Sequence, residues 1–170
     1  MASKSEKTLD DLFHDTLKDI YYAERKILKT LPKMIRVAQS KDLKAAFEKH
    51  RGETEVQVER LQQIFEIIGK RAVGKTCAAI DGIVEEGEEI LEEYKGTVAL
   101  DAGLLAVAQA VEHYEITRYG TLRRWANELG MTDAAGLLGQ TLDEEAATDE
   151  ALTALADASV NDRAKAKRVA

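Results

Sequence analysis

Acidic side chains and one histidine interrupt the apolar stripes of this sequence at helical spacings. Glu24 falls between Ile20 and Ile27, in register with both, and Glu53 follows His50 by three residues. Side chains three, four or seven residues apart lie on one face of an α-helix. Carboxylate and imidazole groups on facing helices are the ligands that iron and manganese accept. The spacing therefore predicts metal ligands on the buried faces of two helices.

Two later segments repeat this pattern. Glu112 and Glu115 follow Ala108 at helical spacing, and Glu144 and Glu145 lie in the last apolar segment. Each unpaired buried charge costs several kcal/mol, whereas a whole fold is stabilised by about 5–15 kcal/mol. The predicted inner stripes carry no Lys or Arg at these levels, which leaves protons, water access or multivalent cations to neutralise the acids. The candidate metal ligands are Glu24, His50, Glu53, Glu112, Glu115, Glu144 and Glu145.

Other reactive side chains carry weaker signals. Cys77 is the only cysteine, which excludes an intramolecular disulfide and a cysteine zinc site and is typical of a small buried residue. His113 directly follows Glu112 and so points about 100° away from it, where a channel role is the alternative to a solvated one. Tyr114 and Tyr119 are expected to be core or interface rings, or else hydrogen-bond donors to a metal centre.

Composition and charge restrict the class of protein. The 170 residues are 45% hydrophobic and include one proline, which suits one all-α domain and excludes an all-β fold. A net charge of -7 argues against nucleic acid as a partner. We find no apolar run near the roughly 20 residues that span a membrane and no signal-like core in residues 1–7, so we expect a cytoplasmic protein without a membrane partner.

Apolar periodicity predicts two long helices at the start. The first begins at an N-cap, Thr8, and covers about 30 residues; Pro32 is expected to kink it near Leu28, with a break as the alternative. The second is expected to start with Asp42 as its cap and to reach about Ile68. The turn between them is so short that the two helices must be antiparallel neighbours.

The remainder is expected to hold a connector and a second hairpin. Residues 80–94 form a short amphipathic segment, and a third long helix runs from about Val98 to a left-handed cap at Gly130. Thr132 or Asp133 is expected to cap the fourth long helix.

We therefore predict a ferritin-like antiparallel four-helix bundle with one long crossover carrying a short fifth helix. The bundle domain is expected to cover residues 1–158, followed by a frayed, charged C-terminal tail, residues 159–170.

Several blocks in this order resemble the YciE/YciF stress-protein family over nearly the whole chain. They are Tyr22-Ala23-Glu24-Arg25, His50-x-x-Glu53-Thr54, Val58-Glu59-Arg60-Leu61, Val111-Glu112-His113-Tyr114-Glu115, Tyr119-Gly120-Thr121-Leu122 and Thr141-Leu142-Asp143-Glu144-Glu145. The resemblance implies a ferritin-like bundle of the bacterial stress response, related in structure to rubrerythrin, with the short helix at a homodimer interface. It implies more about fold than about activity.

The first three helices match the residues of ferritin-like di-iron proteins with one exception. Glu24 is similar to their bridging glutamate, and Glu112 with Glu115 resembles the acidic pair of rubrerythrin. His50-x-x-Glu53 reverses the usual Glu-x-x-His, although both orders place the two ligands on one face.

The fourth helix departs further from that pattern. Ala147 stands where Glu144-x-x-His would supply an imidazole, so one metal position lacks that ligand unless Asp149, Glu145 or water replaces it. The second ion is then expected to bind weakly or not at all.

The resemblance leaves alternative functions open. The first is a di-metal oxidoreductase that reacts with oxygen or peroxide, holding two iron ions, or one, with Glu24 and Glu115 as bridges; manganese and zinc are alternatives. Because the chain has no cysteine pairs for a rubredoxin site, a partner or small reductant must supply electrons. The second is a non-catalytic, dimeric structural or binding module with a degenerate or mono-metal site. An iron-storing cage is a weaker third, and the segment 80–94 either forms the dimer interface or merely covers the bundle.

Overall fold

Long amphipathic helices make up almost all of the chain. The computed structural model describes residues 6–165 and contains α1 (Leu9–Val37), α2 (Lys41–Ile67), α3 (Ala78–Glu93), α4 (Leu100–Glu128) and α5 (Thr132–Leu155). A π-helical turn, Ala156–Val160, and a short helix α6, Asn161–Ala164, follow α5 directly. Residues 6–165 contain no β-strand, and none of their helices is long and apolar enough to cross a membrane. The predicted all-α class is confirmed.

The helices form two antiparallel hairpins joined by a crossover. α1 packs against α2 and α4, and α5 packs against α2 and α4. The backbone N–H groups of Gln39 and Ser40 donate to the carboxylate of Asp101 at 2.8 and 2.7 Å, so α4 begins beside the turn between α1 and α2. Segment 68–99 must therefore return along the length of the bundle, and all four neighbouring pairs of long helices are antiparallel. This is the predicted ferritin-like arrangement with one crossover.

Helix α3 of the crossover lies closely on α4 and α1. Two glycines permit this approach: an ideal Cβ at Gly103 would lie 2.6 Å from Ile90 Cγ2, and one at Gly87 would lie 2.9 Å from Val107 Cγ1. Ile80 on the apolar side of α3 is fully buried within this chain. Part of the apolar side predicted for dimerisation therefore covers the bundle, while the dimer itself stays a prediction.

The predicted boundaries at Thr8 and Gly130 agree with the structure. The Thr8 hydroxyl accepts a hydrogen bond from the N–H of Asp11, whose carboxylate in turn accepts one from the N–H of Thr8. Gly130 has a φ of 72°, in the left-handed region, and the N–H of Met131 donates to the carbonyl of Ala126 at 2.8 Å. These two motifs are local, which is why the sequence alone indicates them.

The other predicted caps are wrong. Ser40, and not Asp42, caps α2, because the Ser40 hydroxyl accepts from the N–H of Leu43. Asp42 lies in the first turn instead, where its charge favours the helix N-terminus. Thr132 and Asp133 lie inside α5, and the preceding residue, Met131, makes no side-chain cap.

α1 is uninterrupted, and the last helix is longer than expected. Pro32 lies inside α1, so the expectation of one helix and not two holds. Helical structure continues past residue 158 to Ala164, and Val160 is 2% exposed. Burial of this apolar residue accounts for helical backbone beyond residue 158. The tail residues Lys167 and Arg168 lie outside the described part of the chain.

Candidate metal centre

The middle of the bundle is polar. Five ionisable side chains there are at most 5% exposed: Glu24 on α1, His50 on α2, Glu112 and Glu115 on α4, and Glu145 on α5. Apolar residues enclose them toward both ends of the bundle, so each side chain is removed from water at a position where its helix would otherwise carry a core residue. All four long helices therefore contribute to one buried cluster.

Four of the five side chains converge closely. One ligand atom from each of His50, Glu112, Glu115 and Glu145 lies within 4.8 Å of all the others. His50 Nε2 is 3.4 Å from Glu112 Oε1. Glu24 adjoins this group, and its Oε1 accepts a hydrogen bond from the Tyr119 hydroxyl. Such a set of imidazole and carboxylate donors could hold a divalent or trivalent metal ion.

Most polar atoms of the cluster lack a hydrogen-bond partner. Within residues 6–165, ten buried side-chain nitrogen or oxygen atoms have none, and eight of the ten belong to the five cluster residues. Both ring nitrogens of His50 and both carboxylate oxygens of Glu115 and Glu145 are among them. Buried polar groups are nearly always paired, so atoms without a protein partner are candidates to bind a metal ion.

Burial raises the pKa of each carboxyl group in the cluster. Loss of solvation, followed by the charge of Glu145, raises the pKa of Glu24 to about 8. Loss of solvation, followed by a hydrogen bond to Glu145 and then its charge, raises the pKa of Glu112 to about 11. Loss of solvation and the charge of Glu24 raise the pKa of Glu115 well above its usual value, and burial raises the pKa of Glu145 to about 7. In the metal-free protein the cluster therefore retains protons at neutral pH, which a bound cation would displace.

His50 is poised as a neutral ligand. Burial, and to a lesser degree the charge of Lys49, lowers the pKa of His50 to about 4. At neutral pH the ring is therefore uncharged, which leaves one nitrogen with a free lone pair for a metal.

The two other predicted ligands, Glu53 and Glu144, border this group but are not among its four closest donors, and each is paired with a cation. Lys49 forms an ion pair with Glu53 one turn away. Arg60 donates two hydrogen bonds to the carboxylate of Glu144, at 2.6 and 2.7 Å, and lowers its pKa. The structure thus sorts the acids into those with a cation partner, outside the cluster, and those without one, inside it.

The register of α5 explains why Glu145 faces the cluster. The buried residues of its inner face are Ala134, Ala135, Leu138, Thr141, Glu145, Thr148 and Leu152. Adjacent helical residues point about 100° apart, and of the two glutamates Glu145 is fully buried, whereas Glu144 turns to the flank of this face and pairs with Arg60 of α2. Glu145 lies seven residues from both Leu138 and Leu152, a signal that was present in the sequence. The residue one turn after the inward glutamate is consequently Thr148, and Ala147, where we sought an imidazole, is exposed.

Polar residues around the cluster complete the site. Gln57, which sequence reasoning missed, is buried seven residues after His50 and donates to Glu144 at 3.2 Å. His113 is exposed, as its 100° offset from Glu112 requires, and lies 3.1 Å from Asp149.

The Tyr114 hydroxyl lies 3.0 Å from Cys77 Sγ. Cys77 is buried, as expected for a small apolar residue.

We expect the substitution Arg60→Met to lower the free energy of unfolding by about 1–3 kcal/mol, because it strips a half-buried carboxylate of its bidentate partner. Metal affinity should stay within about twofold, since Glu144 is not a ligand in this arrangement. Thermal unfolding and metal titration of the same sample measure both quantities. A loss of metal binding without a loss of stability would contradict the assignment of Glu144 to the ion pair.

The chain folds into two helical hairpins joined by a crossover that packs on the bundle, and it buries a histidine–glutamate cluster. These features define a ferritin-like helical bundle protein. The family described as domain of unknown function DUF892 matches residues 8–165. Protein YciF of Escherichia coli K12 is 42% identical over 162 residues, covering 95% of this chain and 98% of that protein. The chain therefore belongs to the DUF892 family and is a relative of YciF.

Solved structures agree with this assignment. The crystal structure of the E. coli stress protein YciF matches with a TM-score of 0.87 and 42% identity, over 92% of this chain and 99% of that one. YcfI of Rhodopseudomonas palustris, for which a structural role has been suggested, matches with a TM-score of 0.85 and 46% identity, over 90% and 98%. A protein of Xanthomonas campestris with 21% identity and a TM-score of 0.69, over 91% and 94%, shares the fold. The predicted resemblance to the YciF family is confirmed.

Proposed function

We propose that the buried cluster binds iron, as one ion or a pair, and that the metal-loaded protein reacts with oxygen or peroxide. The observation that carries this proposal is the set of buried donor atoms without partners on His50 and the four glutamates. Exposed acidic clusters are common without a metal, whereas a buried cluster with no Lys or Arg partner needs either protons or a cation. Manganese and zinc accept the same donors and are the alternatives.

The residues in and around the cluster have different roles in the proposed metal site. His50, Glu112, Glu115 and Glu145 supply the four closest donors, and Glu24 extends the donor set toward a second ion. Tyr119 orients Glu24 by donating to its Oε1, which makes Tyr119 a positioning residue. Both carboxylate oxygens of Glu115 lack a hydrogen-bond partner, and the charges of Glu24 and Glu145 act on it, so Glu115 would hold metal together with these two residues.

Iron in such a site would supply one electron per ion. With two protons, two such electrons would reduce dioxygen to hydrogen peroxide, or hydrogen peroxide to two water molecules. The residues of this chain exclude bulk water from the site, hold His50 neutral and release protons from the glutamates as the cation binds. Membership among YciF-type stress proteins agrees with the removal of an oxidant.

A structural metal site is the second candidate function. Thr148 occupies the turn after Glu145, so helix α5 brings no imidazole to the cluster. A structural role has also been suggested for YcfI, a relative at 46% identity. In this alternative the ion neutralises the acidic interior and stabilises the fold without turnover.

Oxidant consumption by the iron-loaded protein distinguishes the two functions. We expect dioxygen or peroxide to be consumed at least about tenfold faster than by free iron(II) at equal concentration, and we expect Glu115→Gln to remove that gain. Arg60→Met is the matched control, because it perturbs the bundle outside the cluster. Metal-dependent stabilisation with no consumption above free iron would favour the structural role. Assembly as a homodimer, location in the cytoplasm and the electron donor stay predictions from the sequence.

A further inference from the structure

An apolar cavity lies beneath α3 and ends at the cluster. Its volume is about 50 Å³, and residues of all five helices α1–α5 line it. The walls include Ile27, Phe47, Val84, Leu104, Val107 and Leu152. His50 and Glu112, two of the four closest cluster residues, line the same cavity. Apolar space therefore adjoins the candidate metal ligands directly.

The other end of the cavity reaches the protein surface. Lys33 on α1 and Glu88 on α3 both line it and form an ion pair of 3.3 Å. Their side chains are 39% and 56% exposed, whereas those of His50 and Glu112 are 6% and 1% exposed. The cavity thus extends from a surface ion pair, between α1 and α3, to the buried cluster.

The walls favour a small apolar molecule over a polar one. Apolar cavities stay dry, and a hydroxyl group transferred into one without a hydrogen-bond partner loses roughly 2–7 kcal/mol. Water and hydrogen peroxide would lose this hydrogen-bonding free energy inside the cavity, but dioxygen forms no hydrogen bonds that it could lose. A water molecule needs only about 10–15 Å³, and an engineered cavity of about 150 Å³ admits benzene. A volume of about 50 Å³ therefore suits a diatomic molecule better than an organic substrate.

We infer that the cavity beneath α3 takes up dioxygen and delivers it to the His50 and Glu112 side of the cluster. This inference rests on the proposed function, since delivery matters only if the cluster holds a reactive metal. It also narrows that function, because a route with these walls selects dioxygen over peroxide as the oxidant.

Xenon tests the cavity without any metal. Xenon has the size and polarity of a small apolar guest, and its anomalous scattering locates it in pressurised crystals of the metal-free protein. We expect one xenon site between α3 and the cluster. Ala108→Leu should abolish it, because Ala108 lines the cavity, and Ala110→Leu should not, because Ala110 is exposed on the same helix. Ala46→Leu is a second filling variant from α2, in case Ala108→Leu does not fold.

Kinetics of the iron(II)-loaded variants test the route. We expect Ala108→Leu or Ala46→Leu to slow oxidation by dioxygen about tenfold or more, while oxidation by peroxide and the rates of Ala110→Leu stay within about twofold of the parent protein. An absent xenon site, or equal slowing of the dioxygen and peroxide reactions, would overturn the inference. Failure to bind iron would instead overturn the proposed function, and the xenon result would still decide whether the cavity accepts an apolar guest.

Discussion

Manganese(II) added to the metal-free protein is expected to raise its melting temperature by about 8–16 °C. Binding to the folded state alone stabilises a protein by about 4 kcal/mol when the ligand is a thousandfold above its Kd. For a domain of this size each kcal/mol corresponds to about 2–4 °C. Manganese(II) is chosen because it accepts carboxylate and imidazole ligands and does not oxidise readily in air. Differential scanning calorimetry at saturating metal measures the shift.

Two neighbouring residues supply a matched control for this shift. Glu145→Gln removes a buried donor and should reduce the shift in melting temperature to about 2 °C or less. Glu144→Gln alters a carboxylate that is paired with Arg60 and should leave most of the shift unchanged. The two variants carry the same chemical change one residue apart on α5. A larger loss of the metal effect in Glu144→Gln than in Glu145→Gln would contradict the structural register of this helix.

The metal-free protein is expected to lose stability as the pH rises from 6.5 to 8, by at least about 5 °C in melting temperature. Burial raises the pKa of Glu24 to about 8 and that of Glu112 to about 11, whereas an unfolded glutamate has a pKa near 4.3. In this pH range the folded state therefore binds more protons than the unfolded state. Each such proton costs about 1.4 kcal/mol of stability per pH unit. The direction is opposite to the usual behaviour of a salt-bridged carboxylate.

His50 does not oppose this trend above pH 6.5. Its folded pKa is about 4, so it contributes stability that is lost only as the pH falls below the unfolded value of about 6.5. Melting temperatures measured at several pH values with a chelator present give the slope, and Glu112→Gln should make it shallower because one buried acid is gone. Saturating metal should flatten the slope, because a bound ion displaces the cluster protons and leaves the folded and unfolded states with nearly equal numbers of bound protons. A metal-free stability that rises from pH 6.5 to 8 would refute the protonated cluster.

Apolar periodicity predicted the helices well because each long helix buries one continuous stripe. The stripe of Ile20, Ile27 and Leu31 on α1 lies in the core as expected, and the short turn near Ser40 fixed the first hairpin. The caps were less predictable, because Ser40 and Asp42 both suit a helix start and the choice depends on where the preceding chain leaves α1. The helical extension through Val160 depends on burial of this side chain, which no local sequence pattern predicts.

The cluster was predictable in kind but not in every member. Glu24, His50, Glu112 and Glu115 interrupt their stripes in register, and the structure brings these four together with Glu145. Glu144 and Glu145 are adjacent acids that were both predicted as ligands, with the motif favouring Glu144, and the structure places Glu145 among the four closest donors. Arg60 and Glu144 pair across two helices and are 84 residues apart in sequence, so helical periodicity within one segment could not reveal the pair.

The cluster draws its donors from both hairpins, and this has a consequence for assembly. The first hairpin brings Glu24 and His50, and the second brings Glu112, Glu115 and Glu145. Neither half holds the full donor set, so high affinity for an ion can arise only after α3 has crossed and the two halves have docked. Contacts so distant along the chain form late because loop closure must come first. Metal uptake would then report the docking of the two hairpins, which is the last folding step. A chain that has folded only one hairpin would not bind metal tightly.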